Sequence, residues 1–293
     1  MVCLIGGGNI VSIKFSNQSI PPILAATIRS IVASFLLWLW ARALNVQVGL
    51  PTGLTKHGVA LGLLFGAQFL FLYWGLSFTD ASRAVILIFC QPLATAIMAH
   101  FALHDDRLYV AKAAGLCLSF VGLVTVFGSR SATLGNLHWV GDVMVLTTGL
   151  LWAANNIYIK KVIENTSITH FQTLFAHLFF SIPLLACGSL AIEWGSEVSP
   201  NPASLVALVY QCVIGAFIGH LLWFRLLHRY QASRLFAFMF LTPLFGVILS
   251  GFLLGEQLTL FLWIGLGFIA AGIYLVNRPN GAEQNEIPAD NFE

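Results

Sequence analysis

Thr148, Trp152, Asn155 and Asn156 stand at i, i+4, i+7 and i+8 within an otherwise apolar stretch. That spacing gathers them on one face of a helix. Two amides beside an indole can donate and accept hydrogen bonds without charge, and the ring can cover an apolar group. This is chemistry for holding a small molecule. The alternative use of such amides is hydrogen bonding between helices. Gln68 lies near the middle of another apolar run, and Asn9 near the start of the chain. Gln91 and Thr95 share a helical face, with Pro92 freeing a backbone carbonyl nearby; Gln91 has the alternative role of satisfying that kink. His220 and Trp223 share a face too. An imidazole changes charge near neutral pH and can carry a coupled proton, although a hydrogen-bonded structural histidine is the commoner case. Polar groups in apolar spans are costly, face protein or a water-filled cavity, and mark pathways. The candidate substrate-binding set is therefore Asn9, Gln68, Gln91, Trp152, Asn155 and His220. His100 and His177 rank below it. Arg29 reads as glue for helix-end carbonyls or anions. Asp106, Asp142 and Glu256 fall at helix starts, where a carboxylate favours the dipole.

The elements that position these residues come from a duplication. Ala81-Ser82-Arg83, eight residues, then Pro92-Leu93 returns as Ala232-Ser233-Arg234, eight residues, then Pro243-Leu244. Other residues keep the same order in both halves. Asp106 and Leu108 match Glu256 and Leu258, Gly115 and Gly122 match Gly265 and Gly272, and Asn9 and Lys14 match Asn155 and Lys160. Internal repeats in an apolar chain point to a transporter built from two related halves.

Of the 293 residues 58% are hydrophobic and 9% charged. Soluble domains carry about 25% charged residues, so no soluble class fits. A net charge of +2 does not argue for nucleic acid. The five cysteines lack pairing motifs and read as free thiols. Apolar runs of about the 20 residues needed to cross a bilayer recur along the chain. They predict ten helices, at 1–15, 22–44, 58–78, 83–103, 109–127, 139–160, 170–192, 203–227, 234–254 and 258–276. The first is short. The domains are 1–130 and 138–278, one repeat each, followed by an acidic disordered tail at 279–293.

Loop charge tests this arrangement. With a cytoplasmic amino terminus, Arg42, Lys56, Arg107, Lys112, Lys160, Lys161, Arg225, Arg229, Arg234 and Arg278 lie inside. Lys14, Arg83 and Arg130 lie outside, and Arg29 is within a span. Ten against three is a strong positive-inside bias. Five helices per half is an odd number, so the halves have inverted topology.

In their order and spacing these residues resemble the EamA family of the drug/metabolite transporter superfamily, over nearly the whole chain and as two copies of the family unit. Gly8-Asn9 with Lys14, Pro21-Pro22 with Arg29, the Ala-Ser-Arg…Pro element and Asp106 carry the first copy. Gly141-Asp142, Trp152, Trp223-Phe224-Arg225 and Gly255-Glu256 carry the second. Two departures stand out: the tryptophan usual at the first motif is replaced around Gly6, and His177 stands where the first copy has Arg29. The resemblance implies an all-α permease of ten transmembrane helices with both termini cytoplasmic, in a bacterial inner membrane. It also implies a central cavity lined by helices one, three, four, six, eight and nine. Members of the family carry amino acids, sugars, nucleotide derivatives and drugs.

The expected function is a secondary transporter moving small polar or amphipathic metabolites by alternating access. Its partners are a small-molecule substrate and the lipid bilayer, with no cofactor or metal. A membrane-embedded enzyme is the runner-up, but neither His-Glu-x-x-His nor Gly-x-Ser-x-Gly occurs. A structural membrane protein is the third reading. Gly265-x-Gly267 mimics a dinucleotide fingerprint without a preceding strand and so fails its context. The orientation is testable by cysteine labelling in a cysteine-free background. Position 196 is expected to react from outside the cell and position 166 only from inside; the reverse pattern would overturn the orientation.

Overall fold

The computed structural model describes residues 1–76, 78–79, 81–103, 106–128, 138–254 and 260–278. Residues 129–137, Glu256, residues 279–293 and the side chain of Arg83 lie outside the described residues. Those described are all-helical, with no strand. The helices are α1 (Val2–Ser16), α2 (Pro22–Ala43), α3 (Thr55–Leu76), α4 (Ala81–Ile88), α5 (Gln91–Ala102), α6 (Val110–Phe127) and α7 (His138–Asn165). Then follow α8 (His170–Ile192), α9 (Pro202–Tyr210), a π-helical segment Gln211–Gly219, α10 (His220–Arg229), α11 (Ala232–Met239), α12 (Leu241–Leu254) and α13 (Leu260–Asn277).

Among the described residues, eight helical stretches are long and apolar enough to cross a membrane. They correspond to α2, α3, α4–α5, α6, α8, α9–α10, α11–α12 and α13. Two expected spans are not among them. The apolar run of α1 is short. α7 has 28 residues and reaches about 42 Å at 1.5 Å per residue, but its polar side chains dilute its apolar character. The outer surface is apolar: Phe101 is 82% exposed and Val110 86%, a patchwork that suits lipid better than water. Trp139, Trp194, Trp263 and Tyr274 are exposed near helix ends, as interfacial belts require.

Sequence signals explain the ends. Thr169 with Gln172, and Asn201 with Ser204, form capping boxes at the starts of α8 and α9. Asn45, at φ 54°, ends α2. There Val46 N–H donates to Ala41 O and Asn45 N–H to Arg42 O, the pairing of a left-handed helix stop. α2 starts after Pro21, and the Glu193 carboxylate at the end of α8 accepts from Ile23 N–H (2.7 Å) and Leu24 N–H (2.8 Å).

The duplicated proline motif produces the same break twice. α4 stops at Ile88 and α5 begins at Gln91; α11 stops at Met239 and α12 begins at Leu241. Each proline falls in the first turn of the new helix, where a missing N–H costs little. The span predicted at 83–103 and the one predicted at 234–254 are thus each two helices, because proline leaves a carbonyl of the preceding turn without its helical donor.

The two copies of the glycine pair pack α6 against α13. A Cβ on Gly115 would lie 2.6 Å from Gly272 O, and one on Gly265 would lie 2.6 Å from Gly122 O. Only hydrogen fits at such a crossing.

Asp106 corrects an expectation. It was read as favouring the dipole of the helix that follows it. Instead, its carboxylate reaches across to α11, accepting from Ser233 N–H (2.9 Å) and from the Ser233 hydroxyl. Lys112 Nζ lies 2.5 Å away, and both charged groups are buried, at 1% and 2% exposure. At the preceding turn Lys160 Nζ donates to Leu227 O and Tyr230 O, closing the end of α10. Asp142, in α7, accepts from the Thr79 hydroxyl at 2.6 Å. Removing one partner of a buried pair strands the other charge, at about 3–5 kcal/mol. We therefore expect Asp106→Ala to lower the melting temperature of the detergent-solubilised protein severely. Asp106→Asn combined with Lys112→Met should recover most of the loss. A single variant melting within about 2 °C of wild type would show that the pair is not what holds this corner.

Candidate functional site

The six sequence-predicted residues fall into two groups. Gln68, Gln91, Trp152 and Asn155 lie on or against α7, which packs on α3, α4, α5 and α10. Asn9 and His220 meet at the π segment. Asn9 Oδ1 would lie 2.6 Å from a Cβ on Gly215, and His220 Nδ1 is 2.9 Å from Gly215 O.

Around α7 the amides are buried and open. Asn155 is 1% exposed, and neither Oδ1 nor Nδ2 has a hydrogen-bond partner. Gln68 Oε1 and Gln91 Nε2 are likewise buried without partners, as is Thr95 Oγ on the same face of α5 as Gln91. The proline break needs a donor for its freed carbonyl, and Gln91 Nε2 does not provide one. What meets that carbonyl is Gly149: a Cβ there would lie 2.9 Å from Ile88 O. Thr148 is committed to backbone, its hydroxyl donating to Gln68 O at 3.2 Å or Met144 O at 3.1 Å.

Asn156 differs from its neighbour. Its Nδ2 donates to Trp152 O at 2.8 Å, and its Oδ1 accepts from Trp223 Nε1 at 3.2 Å. Adjacent residues on a helix point about 100° apart, so one amide ties α7 to α10 while the other is left for something else. Trp223 in turn packs edge-on to Phe236 at 5.0 Å.

At the second group Asn9 Oδ1 is buried without a partner. His220 does have one, Gly215 O. It sits at the end of nine π-helical residues and takes Gly215 O, five residues back. Wide-turn segments of this kind are rare and frequent at functional sites.

The structure also shows what sequence ranked low. Arg29 Cζ stacks 4.4 Å over Phe69, and Phe69 packs on Phe65 at 4.7 Å. The His177 ring lies 4.0 Å from Phe65, and His220 stands edge-on to it at 6.1 Å. Arg29 was read as glue for helix-end carbonyls or anions; among the described residues its Nε and Nη2 have no partner. The signal was available: Arg29 is the one Lys or Arg well inside a predicted span.

A cavity of about 490 Å³ opens at the ends of α1, α2, α3 and α8, lined in part by Asn17, Ile23, Tyr73, Glu193 and Glu197. None of the six predicted residues lines it.

Comparison with known proteins shows which family the chain belongs to. The EamA-like transporter family matches residues 1–128 and 139–278. An uncharacterized transporter of Bacillus subtilis, YoaV, is 23% identical over 94% of this chain and 93% of its own. Probable amino-acid metabolite efflux pumps of Escherichia coli and Salmonella typhimurium are 24% and 26% identical, each over 94% of this chain and 92% of their own. A solved crystal structure superposes with a TM-score of 0.80 over 94% of both chains, at 17% identity, and so shares the fold. Matched in both of its halves, the chain belongs to the EamA-like transporter family and is a membrane transporter of metabolites.

Proposed function

We propose that the chain crosses the membrane ten times, as two inverted five-helix repeats at 1–130 and 138–278, and moves small polar or amphipathic metabolites by alternating access. α1 and α7 are the two crossings added to the eight strongly apolar ones. Two observations favour the repeat. The glycine contacts are closed under exchange of the copies: Gly115 faces Gly272, and its match Gly265 faces Gly122. The helix breaks before Pro92 and Pro243 coincide in the same way. The charge bias supports cytoplasmic termini, and the bacterial relatives support an inner membrane. The names of the family and its relatives point to a carrier rather than an enzyme.

The observation that carries the transport site is the set of buried amides with open hydrogen-bonding atoms, drawn from both halves: Asn9, Gln68 and Gln91 from the first, Asn155 from the second. Inverted repeats put the site near the bilayer midplane, where the halves meet. Trp152 supplies an aromatic surface, and His220, anchored on Gly215, borders the site. Solute uptake into sealed proteoliposomes, absent in protein-free vesicles, tests the reading. One lost hydrogen bond costs about 0.5–1.5 kcal/mol, up to about tenfold in affinity. Asn155→Ala and Gln91→Ala should thus raise the apparent substrate constant by that factor while leaving expression and monodispersity near wild type. If both variants transport normally, or neither folds, the amides are glue between helices and the site lies elsewhere.

A further inference from the structure

Arg29 is buried at 2% exposure in a helix long and apolar enough to cross a membrane. An arginine keeps its charge in proteins. Phe69 covers one face of the guanidinium, which offsets part of the cost of burial but accepts no hydrogen bond. Nε and Nη2 are both buried and unpartnered. They are the adjacent donors along one edge of the fork, the pair that grips a carboxylate with two parallel bonds. His177 Nδ1, on the neighbouring Phe65, is also buried and unpartnered. The groups come from α2, α3 and α8, which pack on one another, and α2 packs on the π segment beneath His220. Among the described residues no carboxylate is hydrogen-bonded to Arg29, His177 or His220.

We propose that the Nε–Nη2 edge of Arg29, backed by His177, is a receptor for the carboxylate of the transported organic solute. The proposal rests on the transport reading and narrows its substrate class to acids and zwitterions. From sequence alone Arg29 stood on a helix away from the cavity, and the expected solute was a small polar or amphipathic metabolite. The side chain instead turns inward onto α3. Access is at hand: Ile23 and Tyr73 line the 490 Å³ cavity, and the same two residues pack with Ala26 and Phe69. Tyr73 lies 5.9 Å from Phe69, ring to ring. Two rings, Tyr73 at the cavity wall and Phe69 behind it, thus lead from the cavity to the guanidinium.

The test compares three carboxylates, acetate, benzoate and L-phenylalanine, with acetamide, benzamide and L-phenylalaninamide. The readout is thermal stabilisation of the purified full chain at constant ionic strength. Charge-assisted pairing predicts that at least one acid binds about ten- to a hundredfold more tightly than its amide. Arg29→Gln should erase that difference, and Arg29→Lys, a charge without the fork, should keep part of it. Equal affinity of acid and amide in the wild type overturns the proposal, as does an undiminished difference in Arg29→Gln or equal stabilisation by chloride. The wild-type comparison decides even if Arg29→Gln does not fold. Vesicles that transport without preferring acids would refute the receptor and leave the transport reading standing. Acid-selective binding without vesicle transport would do the reverse.

Discussion

A backbone amide or carbonyl in hydrocarbon has no water to bond, so a chain that crosses a bilayer by helices can interrupt them only where other protein covers the gap. Three interruptions in this fold obey that constraint, and each is covered differently. The α4–α5 break presents Ile88 O to Gly149, where the lack of a side chain lets α7 come close. Beside the α11–α12 break the thiol of Cys3 on α1 donates to Phe238 O at 3.3 Å. The π segment hands Gly215 O to the ring of His220. The coverers belong to α1, α7 and α10, the helices that also carry Asn9, Trp152, Asn155 and His220. Irregular backbone and candidate site therefore coincide because both need protein around them rather than lipid.

Away from that centre the packing is of another kind. Lipid tails are as apolar as leucine, so helices in a bilayer gain from close contact rather than from burial. α6 and α13 take this to its limit, with Gly115, Gly122, Gly265 and Gly272 bringing carbonyls to where Cβ atoms would be. Buried charge closes the ends of neighbouring helices: Asp106 holds the start of α11, and Lys160 the end of α10. A transporter needs such fixed parts. A rocking motion about the site requires elements that do not yield, and a crossing with no room for a methyl group cannot slide without separating.

Much of this was legible in the sequence, for local reasons. Apolar runs and Pro21-Pro22 act within a few residues of themselves; so do the capping boxes Thr169…Gln172 and Asn201…Ser204, which the sequence reading passed over. The helix predicted at 170–192 accordingly has those bounds in the structure. Pro92 announced a kink, but both spans were read as single helices, and the sequence does not say which atoms cover the breaks. Asp106 was misassigned because its partner, Ser233, is 127 residues away, and sequence periodicity carries no information over that distance. Arg29 was undervalued for the same reason: its helix could be read, whereas the direction of its side chain depends on how α2 meets α3. The polarity of α7 marked it as special in both views. The face that suggested a binding role is what keeps it apart from the strongly apolar spans.

Energetics bear on what the open amides are for. A buried polar atom left unsatisfied costs about 1–3 kcal/mol in water-soluble proteins. Interhelical hydrogen bonds in membranes average about 0.6 kcal/mol. Five such atoms lie on four of the candidate residues: Asn9 Oδ1, Gln68 Oε1, Gln91 Nε2 and both polar atoms of Asn155. On either scale they sum to a few kcal/mol or more, a sizeable share of the roughly 5–15 kcal/mol by which folded domains are stable. Asn156, one residue along, shows that this fold can satisfy an amide fully when it serves as glue. Leaving its neighbour open on both atoms is therefore costly and, as structure alone, serves nothing. On the transport reading proposed above, a solute satisfies these amides while it is held and leaves them open on release, which suits a carrier that binds on one side and releases on the other.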